Sequence, residues 1–244
     1  MFVAGEHVIA SLTITEDELE LFYVDVLEGE YPINVLARAT KADAFAAPVR
    51  AAGLEAVCAT ADYPTIDDSN DGLRMYVTCL DGSSPLRFAS RSSRAASWVV
   101  APDPVGQVAD SIGVSDDELT AVAVVDLLGA PRPVLYQRAS RDQSFGSAQA
   151  ISGIDVDFRN PDLVANGRLL FGVLSQAPNR LAVAARTASA PTQYSAPVTT
   201  GLPEPPATTA STTSDYTPTV TPDCRTVYFL RSAMTTWTIE SASR

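Results

Sequence analysis

Five times along the chain, an alternation of apolar and polar positions leads into a polar turn and then a denser apolar run. The blocks are LTITEDELELFYV (12–24), PTIDDSNDGLRMYVT (64–78), IGVSDDELTAVAV (112–124), PDLVANGRLLFGV (161–173) and PTVTPDCRTVYFL (218–230). A short strand, a turn rich in Asp, Asn or Gly, and a second apolar strand make an antiparallel hairpin. After each block comes a third apolar segment, as in INVLAR and PVLYQR, closing on an arginine among small residues. These arginines are Arg38, Arg91, Arg138 and Arg186, with Ser241 in the fifth place, at separations of 53, 47, 48 and 55 residues. An aromatic follows after 7 (Phe45), 7 (Trp98), 7 (Phe145) and 8 (Tyr194) positions. From it onward the chain reads as a fourth strand, and the aromatic is expected to pack between neighbouring sheets.

Four short strands recurring every 47–55 residues predict an all-β fold, a five-bladed β-propeller of four-stranded antiparallel blades. The fifth repeat stops after its third strand. FVAGEHVIA aligns with the fourth-strand segments and puts Phe2 at the aromatic position, so an N-terminal strand over 1–10 is expected to close the ring by pairing into the last blade. The prediction is one domain over 1–244, with blades beginning near 11, 62, 110, 157 and 215 and a Pro/Thr/Ser-rich surface loop over 201–217. Two stretches, 117–130 and 49–61, also have helical propensity. Repeat register assigns the first to strand, and the second keeps a short helical turn as an alternative.

The Asp- or Gly-bearing turn, the LYF- or VYF-like strand and the R-A-S or R-A-T ending resemble the TolB-type, WD-like propeller repeats of bacterial envelope proteins, over essentially the whole chain. TVTPDCRTVYFL carries Asp223 at the Asp of that family's S-P-D-G turn and Cys224 where Gly is usual, whereas SDDELTAVAV and VANGRLLF depart from it. The resemblance implies a propeller that works outside the cytoplasm, in the periplasm, the outer envelope or secreted. TolB itself has six such blades and a further domain, so no partner is carried over. MFVAGEHVIA does not read as a secretory signal, and the expectation is that a signal peptide is missing from the sequence as given.

Composition narrows the partners. The net charge of −12 argues against nucleic acid and anionic lipid, leaving cations, basic protein surfaces and neutral sugars. No apolar run approaches the roughly 20 residues of a transmembrane helix. Three cysteines and the single His7, an outer-strand position, offer no metal-ligand spacing, and no cofactor is expected. Cys58 and Cys79 fall on one predicted face, either as a disulfide or as two reduced thiols, and Cys224 on the other, free.

In a propeller the loops from fourth strand to next first strand share a face with those from second to third. That face would hold Asp62, Asp110, Asp157, Arg159 and Asp215 near the channel mouth, with Asp25, Glu28, Glu30, Asp81 and Asp126 farther out. Carboxylates ringing an opening focus negative potential, although Asp before a strand is also ordinary turn chemistry. The repeated arginines are expected to pair with the turn acids Asp17, Asp71, Asp117 and Asp223 or with loop carbonyls, within or between blades. No G-x-S-x-G or P-loop is present. The expected function is a monomeric, non-catalytic binding or protein-interaction module whose acidic face takes a protein or a neutral or cationic ligand, carbohydrate included. The alternative is a glycoside hydrolase-like enzyme using channel acids Asp62, Asp110 and Asp162, which would need carboxylates about 5–10 Å apart. A lectin with one sugar site per blade fits less well, since DVLEGEYP, CLDGSSP and DLLGAPRP share little beyond an acid and a proline.

Overall fold

The computed structural model describes residues 2–3, 8–26, 31–54, 65–68, 72–78, 87–102, 111–127, 130–141, 143–165, 167–175, 178–187, 190–199, 214–221, 223–233 and 236–243. Strand β1 (Phe2–Val3) comes first in the chain. The first sheet is then β2 (Val8–Ile14), β3 (Glu20–Val26), β4 (Ile33–Ala37) and β5 (Val49–Arg50). The second is β6 (Thr65–Asp68), β7 (Arg74–Thr78), β8 (Arg87–Ser90) and β9 (Val99–Pro102). The third is β10 (Ser111–Val114), β11 (Thr120–Leu127), β12 (Ala130–Gln137) and β13 (Gln149–Ala150). The fourth is β14 (Phe158–Val164), β15 (Leu169–Leu174) and β16 (Arg180–Ala185), and the fifth β17 (Ser214–Val220), β18 (Thr226–Ala233) and β19 (Thr236–Ser243), joined at its outer edge by β1.

Every pairing between these strands is antiparallel. The innermost strands touch in a cycle: β2 meets β6, β6 meets β10, β10 meets β14, β14 meets β17, and β17 returns to β2. Ring closure is also made at the rim, where Phe2 pairs with Ile239 and Val3 with Thr238. The all-β propeller with its N-terminal strand in the last sheet is therefore borne out. The closing segment is shorter than 1–10, because Val8 already pairs with Val26 in the first sheet.

The core lies in the seams between sheets. Five buried apolar clusters each draw on two adjacent sheets. Trp98 is buried with Phe22, Ile33, Met75 and Ala89 between sheets one and two, Phe45 packs against the cluster between five and one, Phe145 sits beside Tyr76, and Tyr194 beside Phe158. The aromatic after each arginine thus packs between sheets as expected. Burial of an aromatic side chain there contributes roughly 2–3 kcal/mol.

Three expectations change in detail. The fourth sheet has three strands, and its outer position is held by two isolated bridges, Val183–Val198 and Arg186–Tyr194. The loop expected over 201–217 overlaps β17, which begins at Ser214, close to the blade start expected near 215; Tyr216 packs against Trp237 at 5.3 Å and Thr217 is buried at a bulge. Among the described residues there is no helix; 49–50 are strand, 52–53 a turn, and 55–61 lie outside them. The remainder of the low-complexity loop, 201–213, is likewise outside the described residues.

Deleting residues 1–7 removes the β1–β19 pairing and bares a sheet edge. Urea unfolding is expected to show a loss of about 1–3 kcal/mol, from lost ladder hydrogen bonds, together with concentration-dependent association in light scattering.

Candidate functional site

On the face expected to bind, Asp157 and Arg159 come together. Arg159 Nε and Nη2 donate to Asp157 Oδ1 and Oδ2 at 2.8 and 3.0 Å, a two-point ion pair on the surface. Asp215 lies in β17 opposite Arg231, but its side chain, like Asp62, Asp110, Cys58, Cys79, His7, Glu28, Glu30 and Asp81, is outside the described residues. Asp126 is described only as part of β11. Asp25 is buried at the end of β3, and burial together with its charge pushes the Tyr23 hydroxyl up to about 12. Asp162, offered by the hydrolase reading as a channel acid, is buried, and its Oδ2 accepts the Val220 N–H at 2.5 Å. One innermost strand is thereby tied to the next, β14 to β17.

The opposite face carries the turns between first and second strands, and here the repeat becomes chemistry. Each turn has a left-handed residue two positions before its second strand: Glu18 at φ 56°, Gly72 at 69°, Glu118 at 56°, Gly167 at 74° and Cys224 at 57°, and the fourth turn adds Ala165 at 53°. Three of them are stapled alike. Thr15 Oγ1 donates to Asp17 Oδ1 (2.8 Å) and accepts the Glu20 N–H (3.1 Å), while Asp17 accepts the Leu19 N–H (3.1 Å). Ser115 with Asp117 and Thr221 with Asp223 repeat the arrangement. One oxygen of each of these turn acids is thus taken by its own turn, as Asp and hydroxyl residues in turns often are, while the other oxygen of Asp17 meets Arg94 at 2.7 Å.

The arginines consequently find other partners. Arg38 Nε donates to the Glu18 carbonyl at 2.7 Å, Arg91 Nε to the Gly72 carbonyl at 2.7 Å and Arg138 Nε to the Glu118 carbonyl at 2.6 Å. For these three arginines pairing with loop carbonyls is borne out, and pairing with Asp17 and Asp117 is corrected, since the paired acids are glutamates; Asp71 lies outside the described residues. The guanidinium groups also lie over the aromatics seven positions on, Arg38 over Phe45 at 4.5 Å, Arg91 over Trp98 at 4.6 Å and Arg138 over Phe145 at 4.4 Å. Such cation–π contacts are worth roughly 0.5–2 kcal/mol.

A glutamate completes each of these seams. Glu18 meets Arg38 (3.3 Å) and Lys41 (2.8 Å) and accepts from Tyr228 of the fifth sheet (2.7 Å). Glu118, wholly buried, gathers Arg74 (2.9 Å), Arg138 (3.4 Å) and Arg141 (3.5 Å) and accepts from Tyr76 of the second sheet (3.3 Å). Between sheets one and two the turn has Gly72, and Glu20 of the first sheet reaches across to Arg91 and Arg94. Gly72 is fitted to that crossing: a Cβ there would stand 2.9 Å from Thr15 Cγ2 and 3.1 Å from Glu20 Oε2. Sequence spacing could not show this substitution, because the acid comes from the neighbouring sheet.

Burial alone would raise the Glu18 carboxyl, but the bonds from Lys41 and Tyr228 and the charges of Lys41 and Arg38 outweigh it and hold it below its ordinary value. Burial and the bond to Glu18 push the Tyr228 hydroxyl up to about 12. Burial also lifts Tyr194 to about 12, so both phenols stay protonated donors.

No family model matches the sequence, and no curated protein sequence matches it. Solved structures do. The putative TolB of Agrobacterium tumefaciens aligns over 93% of this chain and 70% of its own, with a TM-score of 0.52 at 13% identity. TolB from Acinetobacter baumannii aligns over 97% of this chain but only 55% of its own (TM-score 0.50, 15% identity). The α-L-arabinofuranosidase PaAbf62A of Podospora anserina, in complex with cellotriose, aligns over 96% and 90% (TM-score 0.60, 10% identity). The fold is a TolB-like β-propeller, an architecture shared here by TolB proteins and by a glycosidase.

Two outcomes follow from the seams. Glu118→Ala leaves the buried Arg138 without its carboxylate, and also releases the more exposed Arg74 and Arg141, and should cost about 3–5 kcal/mol in urea unfolding. For Glu18 the folded-state carboxyl titrates below its ordinary value of 4.5. Its contribution is present above that value and lost as pH falls through the lower folded one. Melting curves across that window should show a steeper acid loss in the wild type than in Glu18→Gln.

Proposed function

We propose that this protein is a monomeric, single-domain, non-catalytic interaction propeller that works outside the cytoplasm. Its partner is a protein segment or a neutral or cationic ligand, and its binding face carries Asp62, Asp110, Asp157, Arg159 and Asp215. The observation that supports binding over hydrolysis is the state of Asp162. A hydrolytic acid must be reachable by substrate, and this one is buried against the Val220 amide. Asp157 is held by Arg159 in an exposed pair suited to polar recognition. The likeness to TolB structures agrees with an extracytoplasmic role, and among the described residues no helix is long and apolar enough to cross a membrane.

A second reading, a carbohydrate-active enzyme, is favoured by the fit to the arabinofuranosidase in complex with cellotriose. Titrating the protein with a lysine-rich peptide and with an oligosaccharide panel separates the two. Saturable binding without consumption, weakened by neutralising Asp62, Asp110, Asp157 and Asp215 together, is the expected result. Release of reducing ends that stops in Asp62→Asn or Asp110→Asn would transfer the protein to the enzymes.

A further inference from the structure

The seam between sheets three and four has the cation of the repeat without its acid. Arg186 stands where Arg38, Arg91 and Arg138 stand in theirs, and its backbone N–H meets the Arg168 carbonyl as theirs meet Leu19, Leu73 and Leu119. Its guanidinium has lost all three tasks of the repeat. The carbonyl of the left-handed residue, Gly167, is taken by the Tyr194 hydroxyl at 2.8 Å instead of an arginine Nε. Tyr194 follows after eight residues instead of seven, and among the described residues no carboxylate pairs with Arg186. The position equivalent to Glu18 and Glu118 is Gly167, and the position equivalent to Glu20 is Thr120.

The acid's place is unfilled, with room for a side chain in ordinary van der Waals contact. A Cβ on Gly167 would meet nothing nearer than Arg186 Nη1 at 3.6 Å, Leu163 Cδ2 at 3.8 Å and Thr120 Cγ2 at 3.9 Å. At Gly72 the same test finds contacts of 2.9–3.3 Å, because Glu20 fills that space. The fifth turn is no parallel case, since Ser241 replaces the arginine and Cys224 packs against the apolar cluster of that seam.

We propose that the notch formed by Arg186, Gly167 and Thr120 receives the side-chain carboxylate of a glutamate from a partner polypeptide, completing from outside the contact that Glu18, Glu20 and Glu118 complete from within. A planar two-oxygen acid matches the guanidinium fork. Arg168, exposed in the same turn, adds a second positive charge close by. The net charge of −12 opposes an acidic partner at long range, but screening confines that repulsion to about 10 Å at 0.1 M salt. The site lies on the turn face, away from the face proposed above for binding, and its test is separate.

The probe is a tripeptide, Gly-Glu-Gly, blocked at both ends so that its only carboxylate is the side chain, with Gly-Gln-Gly as its partner. The readout is the Nε–Hε resonance of Arg186. A saturable shift with the Glu peptide, absent with the Gln peptide, is expected; in Arg186→Lys, which lacks that resonance, the backbone N–H shifts of Gly167 and Arg168 should report an affinity about tenfold lower as the fork is lost. Gly167→Glu should abolish the response and raise the melting temperature, since Glu18 and Glu118 already occupy this conformation at φ 56°. No shift with the Glu peptide, an equal shift with the Gln peptide or with sulfate, or a Gly167→Glu protein that still binds would each overturn the proposal.

Discussion

The ring depends on satisfying one carbonyl per seam. Each first-to-second-strand turn has a left-handed residue, and in four of them its carbonyl is capped by a side chain of the same repeat, Arg38, Arg91, Arg138 or Tyr194, where an unpaired buried acceptor would cost about 1–3 kcal/mol. A single arginine resolves this in three seams: Nε caps the carbonyl, Nη holds a glutamate, and the flat face lies on an aromatic. Lysine could take over only one of those tasks at a time. Where the carbonyl is met by Tyr194 instead, the arginine is released, and the seam changes character.

Apolar clusters supply the attraction between sheets, and the polar groups fix how the sheets sit. Buried ion pairs add little net stability, because desolvation offsets much of their Coulomb energy. Their value here is geometric. Glu118 bonds Tyr76 and Arg74 of one sheet and Arg138 and Arg141 of the next, so sliding either sheet breaks several contacts together. Asp162 does the same for the inner strands by holding the Val220 amide, and Gly113 lets β10 approach the Pro161 backbone, which a Cβ would meet at 2.3 Å.

How much of this was written in the sequence follows the range of each interaction. The hairpins, the arginine spacing and the closing N-terminal strand are local or periodic, and they could be read directly. The partners of the arginines were not local. Asp17 and Asp117 looked like the natural acids, yet each lies two positions from a hydroxyl that claims it. Glu20 serves an arginine 71 positions away, and no spacing within one repeat indicates that reach. The end of the loop was hard to place because the small hydroxyl residues before it run on into Ser214 and Thr217; Trp237 and the bulge at Tyr216/Thr219 decided for strand from Ser214 on. Asp162 was correctly seen as a first-strand acid, but its bond to a neighbouring strand depends on ring geometry.

The unit that organises this protein is accordingly the seam and not the blade. A carboxylate reaches the seam from the turn of the later sheet in two cases and from the second strand of the earlier sheet in another, and the glycine at position 72 is what makes the exchange fit. Since the turn face is committed to this stapling almost side chain by side chain, a substitution there acts first on stability. Loops on the other face carry no such repeated duty among the described residues, and they can vary without loosening the ring, which is where scaffolds of this kind acquire specificity. The fourth seam is the exception on the committed face: among the described residues its arginine, Arg186, has no carboxylate partner.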